Sequence, residues 1–478
     1  MTLLGLFFVL LMQFICGRGI ISLFRVALPA IDKLCLSLIL GVPMVSFVPC
    51  ILQLAGVPIT ASATALGITI LACLLLIPQL LPFRRPALGR VKLPKIYEVP
   101  FLLIFLLHIV VSVWRCYYYP PTARDMLAGP EVISEFTVRE GTMVNSVFSI
   151  DLQTTNNYFK SPFITSLQVI YKLLVCAFGQ VWLSVIAIPF LVWLYVLLRR
   201  LIHPLVAGFL FLLFLIMPEL FAYTYLMLYD YCNMVFFVSG FYFLVSYLRE
   251  RKSNRFAFAI FLFGLATYIR TETLVLVGMG ALPLFIYNFS QKKLPLLRNL
   301  VQCLVLILPS VCFYIICVHL FVRNFVPIPF DLQGQINPNM TDVSPFFVRM
   351  KDIAADLLFS EFGRDLFGYF VFVFCGVLFL DVVYFRKFRF EGLAALCGIV
   401  VVYVGLSLIG YLLPLADLEH TTKRGLFKMM PLMLLYLGHS AATRQVCDRI
   451  RVWEAGEVES AGANLGDKAQ KKPEQIRP

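Results

Sequence analysis

Residues able to do chemistry are few in this chain, and the densest group lies in one long polar stretch. Between two apolar runs the sequence reads YYYPPTARDMLAGPEVISEFTVREG, placing Asp125, Glu131, Glu135 and Glu140 beside Arg124 and Arg139. A carboxylate held at a membrane surface can take the proton from an acceptor hydroxyl or amine. For Glu131, Glu135 and Glu140 the simpler reading is solvated loop charge, whereas the chain context given below singles out Asp125. The five histidines (His108, His203, His319, His420 and His439) never fall at metal-ligand spacing. The 13 cysteines show no CxxC, and they read as small apolar packing residues rather than a disulfide or zinc framework.

The elements that must position these residues are membrane helices. The chain has 478 residues, 60% hydrophobic and only 14% charged, against about 25% charged in an average soluble domain. Mean hydropathy is +0.87. Apolar runs long enough to cross a hydrocarbon core recur throughout. The first, over residues 3–16, has neither a preceding basic region nor a small-residue cleavage site, so a removable signal peptide is not expected. The net charge of +13 does not indicate nucleic acid, because the Lys and Arg residues cluster in short loops between spans. That is the positive-inside pattern.

These basic loops set the expected topology. Loop 82–98 carries Arg84, Arg85, Arg90, Lys92 and Lys95 and is placed inside, after spans near 3–22, 34–54 and 61–81. The span near 99–117 leads out to the polar loop. Segment 161–178 decides the rest. If it crossed, Arg199-Arg200 and the Arg249–Arg255 cluster would fall outside; if it lies flat on the outer surface, both fall inside. Phe163, Leu167, Ile170, Tyr171, Leu174 and Phe178 share one helical face, with Thr165, Gln168 and Lys172 on another, which favours the flat interfacial helix. Spans follow near 181–198, 204–222 and 228–248. A hairpin over 256–289 is split at Arg270-Thr271-Glu272, charges that are costly inside a membrane. Spans near 299–322, 365–385, 391–413 and 424–442 complete about 13 helical membrane segments. The expected fold is therefore all-α and polytopic. Its parts are additional N-terminal helices at 1–98, a core at 99–442 with outer loops at 118–180 and 323–364, and a cytoplasmic tail at 443–478 expected to lack fixed structure. No repeat of 20–50 residues is evident, which weighs against a secondary transporter.

Several phrases, in order along the core, resemble the GT-C superfamily of membrane glycosyltransferases, nearest the protein-O-mannosyltransferase and aminoarabinose-transferase branch (family 39-like). An acidic residue, Asp125, follows the first core span. Tyr158-Phe159-Lys160-Ser161-Pro162-Phe163, continuing through Leu167-Gln168 to Tyr171-Lys172, resembles that branch's juxtamembrane helix. Ala222-Tyr223 to Leu228-Tyr229-Asp230 resembles its entry to a later span, and Gly264–Glu272 resembles a G-L-A-x-L-x-R-x-E phrase. A weaker match covers Arg424–Pro431. Two departures stand out: the branch's Asp-Glu pair is here Asp125-Met126, and its double proline is Ser161-Pro162.

The resemblance implies an inverting transferase that moves a sugar from a polyprenyl-phosphate donor to an extracytoplasmic lipid, glycan or protein acceptor, the prenyl tail lying between spans. Asp125 would be the base, and Lys160, Lys423 and Arg424 would bind the departing phosphate. Each cation has a plainer reading as an interfacial anchor. Asp230 caps a helix or, alternatively, binds a divalent metal or orients the base. Arg270 and Glu272 contact ligand or form a buried structural ion network. The expected setting is a bacterial inner membrane, with the endoplasmic reticulum second. The rival readings are an O-antigen-type polymerase or ligase and a lipid or solute transporter.

Overall fold

A computed structural model describes residues 3–80, 94–122, 124–150, 160–176, 178–291, 295–325, 336–413 and 418–470. Arg84, Arg85, Arg90, Lys92, Tyr158, Phe159, Lys292 and Lys293, and the side chains of Arg124, Glu419 and His420, lie outside the described residues. Among those described there is no strand. The reason is general: hydrocarbon offers backbone groups no partner, so each span must satisfy its own N–H and C=O groups as a helix.

Among the described residues nine helices are long and apolar enough to cross a membrane, and the protein is a polytopic helical membrane protein. The helices that matter here are α1 (Leu3–Leu23), α2 (Ala30–Leu54), α3 (Ala61–Leu80), α4 (Val99–Tyr118), α5 (Val132–Glu140) and α6 (Phe163–Leu174). They are followed by α7 (Trp182–Leu201), α8 (Pro204–Leu215), α9 (Tyr229–Glu250), α10 (Ser253–Ile269), α11 (Glu272–Ser290) and α12 (Leu296–Phe313). The last are α13 (Ser344–Asp352), α14 (Glu361–Phe367), α15 (Phe370–Leu380), α16 (Phe390–Leu412), α17 (Met429–His439) and α18 (Ala441–Gln470). The final helix runs into the tail for which no fixed structure was expected.

Four of the thirteen expected segments are short or broken. α8 has 12 residues, about 18 Å of helix, and stops where Pro218 starts a new turn after Met217. α14 and α15 meet at a 98° bend, where Gly368 takes φ 59° and ψ −145°, a conformation essentially restricted to glycine. α10 has 17 residues and α17 has 11.

Of the N-terminal helices, α2 is the one built into the core. α1 and α2 cross so closely that a Cβ on Gly17 would lie 1.9 Å from the Ser37 carbonyl oxygen, and one on Gly41 would lie 1.9 Å from that of Gln13. Small residues at such a crossing let backbones approach and maximise van der Waals contact. α2 is largely buried and packs on α1, α6 and α7.

This arrangement corrects the reading of segment 161–178. α6 is too short to cross, but it does not lie on the surface. Phe163–Tyr171 are all buried, polar residues included. Tyr171 donates a hydrogen bond to Gln13 of α1 (3.1 Å), and Ser166 lies 3.5 Å from Cys50 of α2. The polar face of α6 meets protein instead of headgroups.

The basic clusters gather at one end of the bundle. Arg200 pairs with Asp32 at the start of α2, Arg199 with the buried Glu98 before α4, and Arg249 at the end of α9 with Glu391 at the start of α16. The long polar loop, the start of α9, the α10–α11 turn and the start of α17 lie at the other end.

Candidate functional site

At that second end charged residues from several separated stretches meet. Asp125 sits in a short helical turn, Arg124–Met126, anchored by the buried Met126. Its carboxylate accepts a hydrogen bond from Arg424 Nη1 at 3.1 Å, across 299 positions of sequence. Arg424 lies in the turn Lys423–Gly425. The neighbouring Lys423 pairs with Glu219 at 2.8 Å, and Arg349 of α13 donates to Thr422 at 2.5 Å, holding the turn from its other side.

Beneath this pair lies a buried ion network. Arg270, at the α10–α11 turn, pairs with both Asp230 and Glu272, and Glu272 also accepts from Lys428. Asp230 makes no helix-capping bond; α9 is entered through Leu228, without a side-chain cap. The capping expected of Asp230 is therefore not what the structure shows, and its carboxylate pairs with Arg270 instead. Arg270 and Glu272 are also not in mid-span. The hairpin α10–α11 reaches the same end as the start of α9, and its turn is pinned there by Asn233, which donates to the Ala266 carbonyl and to Thr273 Oγ1, both at 2.7 Å.

Lys160 completes the cluster. Its ammonium stands 5.9 Å from the centre of the Tyr229 ring, and among the described residues it forms no ion pair. Burial, followed by the like charges of Arg270 and Arg424, lowers its pKa to about 8, with Asp125 opposing in part. Among the described residues, Asp125, Glu219, Asp230 and Glu272 are paired with Arg424, Lys423, Arg270 and Lys428, Arg349 donates to Thr422, and Lys160 forms no ion pair. An ammonium so placed, flanked by two guanidinium groups, attracts an anion, and phosphate suits such donors.

All seven residues singled out from sequence (Asp125, Lys160, Asp230, Arg270, Glu272, Lys423 and Arg424) fall in this cluster. Sequence reasoning missed Glu219, Asn233 and Lys428. Lys428 is the instructive omission, since its side chain is 0% exposed. A lysine inside the run LFKMMPLML, by its cost alone, signals a buried partner. Tyr223 also lies here; burial pushes its hydroxyl up to about 12, with Arg424 opposing, so it stays a neutral hydrogen-bonding group.

The other loop carboxylates are not simply solvated. Lys172 of α6, 4% exposed, pairs with Glu131 at 2.7 Å and Glu135 at 3.1 Å. Gln168 donates to Glu131 and accepts from Trp182. Glu140 accepts from the backbone N–H and hydroxyl of Ser146. These bonds dock the loop on α6 and so fix where Asp125 stands. Among the described residues no three His, Cys, Asp or Glu side chains come together as a metal ion would need.

The sequence matches no protein-family model, and no curated protein or solved structure matches it.

Proposed function

We propose that the protein is an inverting membrane glycosyltransferase, taking a sugar from a polyprenyl-phosphate donor at the end of the bundle that holds Asp125. The observation that carries this reading is one geometry: a partly exposed carboxylate, Asp125, against Arg424, with Arg270 nearby and with Lys160, which forms no ion pair among the described residues. Transfer needs a base at the acceptor and cations at the departing phosphate, and both are adjacent here.

In the proposed step the acceptor hydroxyl gives its proton to Asp125 as its oxygen bonds to the anomeric carbon. The bond from that carbon to the phosphate oxygen breaks, and its electron pair leaves with the phosphate. Lys160, Arg270 and Arg424 stabilise the growing negative charge, so no acid is required for departure. Asp230 and Glu272 act as positioning residues that hold Arg270 and Lys428. The donor phosphate competes with Asp125 for Arg424, and its arrival frees the carboxylate to face the acceptor. The basic loops at the other end favour a cytoplasmic location there, which puts the reaction on the extracytoplasmic face, with a bacterial inner membrane as the proposed setting.

Proteoliposomes holding the protein, a labelled polyprenyl-phosphate sugar and candidate lipid, glycan or protein acceptors test the class of activity. Conversion of the donor to polyprenyl phosphate with label on an acceptor is expected. Movement of intact donor across the bilayer without bond transfer would favour a transporter instead.

A further inference from the structure

A cavity opens toward the basic end of the bundle, and none of the residues assigned to sugar transfer lines it. About 520 Å³ of mainly apolar space lies between α9, α11 and α16, running from Phe237 toward Tyr287 and Phe390. Small residues on facing helices, Gly280 of α11 and Ala394 of α16, leave this room. A Cβ added to Gly280 would meet nothing within 4 Å. Its apolar walls gain dispersion contacts when hydrocarbon fills the space.

The cavity does not end in hydrocarbon. Tyr287 and Phe390 also line a second space, of about 590 Å³, shared with Arg249, Arg389, Glu391 and His439. Arg249 is paired to Glu391 at 3.0 Å, whereas Arg389 is exposed and forms no ion pair among the described residues. Nδ1 of His439 is buried without a hydrogen-bond partner. Arg251 lies beside the Tyr287 ring and donates to Asn288, yet its Nε and Nη2 are buried and unpartnered. Among the described residues lining this rim, Arg249 and Arg389 outnumber the one carboxylate, Glu391, which gives a positive balance matched to an anionic headgroup.

We propose that the basic end binds one anionic phospholipid from the adjacent leaflet, an acyl chain filling the apolar cavity and the phosphate resting on Arg389 and Arg249. This site is independent of the transferase reading. The test is native mass spectrometry of the full-length protein in mild detergent, incubated with equal amounts of phosphatidylglycerol and phosphatidylcholine of identical chains. Wild type is expected to retain one phosphatidylglycerol in preference. Arg389→Gln, at an exposed position, should lose about fivefold of that preference, and Gly280→Phe should retain neither lipid. Equal retention of the two lipids by wild type, an unchanged preference in Arg389→Gln, or undiminished retention in Gly280→Phe would each overturn the proposal.

Discussion

Raising the pH through about 8 is expected to weaken phosphate binding without unfolding the protein, and Lys160 is the reason. With its pKa lowered to about 8 by burial and by Arg270 and Arg424, about nine in ten molecules carry the ammonium at pH 7 and about one in ten at pH 9. A phosphate monoester has its second pKa near 6, so it is about nine-tenths dianionic at pH 7 and its charge changes little over this range. If the bound phosphate holds Lys160 protonated, linkage makes the affinity fall about tenfold between pH 7 and 9. Replacing the ammonium removes a charge-assisted hydrogen bond worth about 1.5–3 kcal/mol, so Lys160→Met should bind about 10- to 150-fold more weakly at pH 7, with no further loss across the interval. Stability moves the other way. The unfolded chain holds this proton up to a pKa of about 10.4, so the group costs stability at neutral pH, and that cost is relieved as pH rises from about 8. Lys160→Met should therefore melt no lower than wild type. Isothermal titration of a short-chain isoprenyl phosphate into the detergent-solubilised protein supplies both affinities at each pH. The same pH slope in wild type and Lys160→Met would refute the assignment.

Two other perturbations probe the framework under the site. Glu272→Gln leaves Lys428 buried without its carboxylate partner and should cost about 3–5 kcal/mol, whereas Glu272→Gln with Lys428→Met should recover most of it; thermal unfolding of the purified variants checks this, and a double variant no better than the single would count against the pairing. Gly41→Leu drives a side chain into the Gln13 backbone and should abolish a monodisperse size-exclusion peak. Gly278→Ala, where an added Cβ meets nothing within 4 Å, should leave the peak unchanged.

Much of this organisation is legible in the sequence, because a bilayer enforces apolar length and punishes stray charge. Arg199, Arg249 and Arg389 bracket their spans and gather at one end, as the loop pattern requires. The meeting of Asp125 with Arg424 is different in kind. No spacing rule links residues 299 positions apart; only the order of phrases resembling one glycosyltransferase branch placed them together. Where the reading failed, pattern was ambiguous in a physical way. The polar stripe of α6, with Thr165, Gln168 and Lys172, suits headgroups and buried protein partners equally, and Gln13, Cys50, Glu131 and Trp182 turned out to be the partners. Arg270 looked stranded in mid-hairpin because helix length alone does not reveal that its turn reaches the end of the bundle where Asp230 stands. Lys428 was hidden in an apolar run whose overall hydropathy masks a single ammonium.

Transfer by Asp125→Asn tests the central claim most directly. In single-turnover reactions with a saturating labelled polyprenyl-phosphate sugar, reconstituted wild type should pass its label to an acceptor that supports turnover. The Asn variant keeps the side-chain shape and should still bind the donor, but it cannot accept the acceptor's proton, and its transfer rate should fall by about 10²- to 10⁴-fold. A transfer rate equal to wild type, with donor bound equally, would contradict the role of Asp125 and with it the proposed reaction.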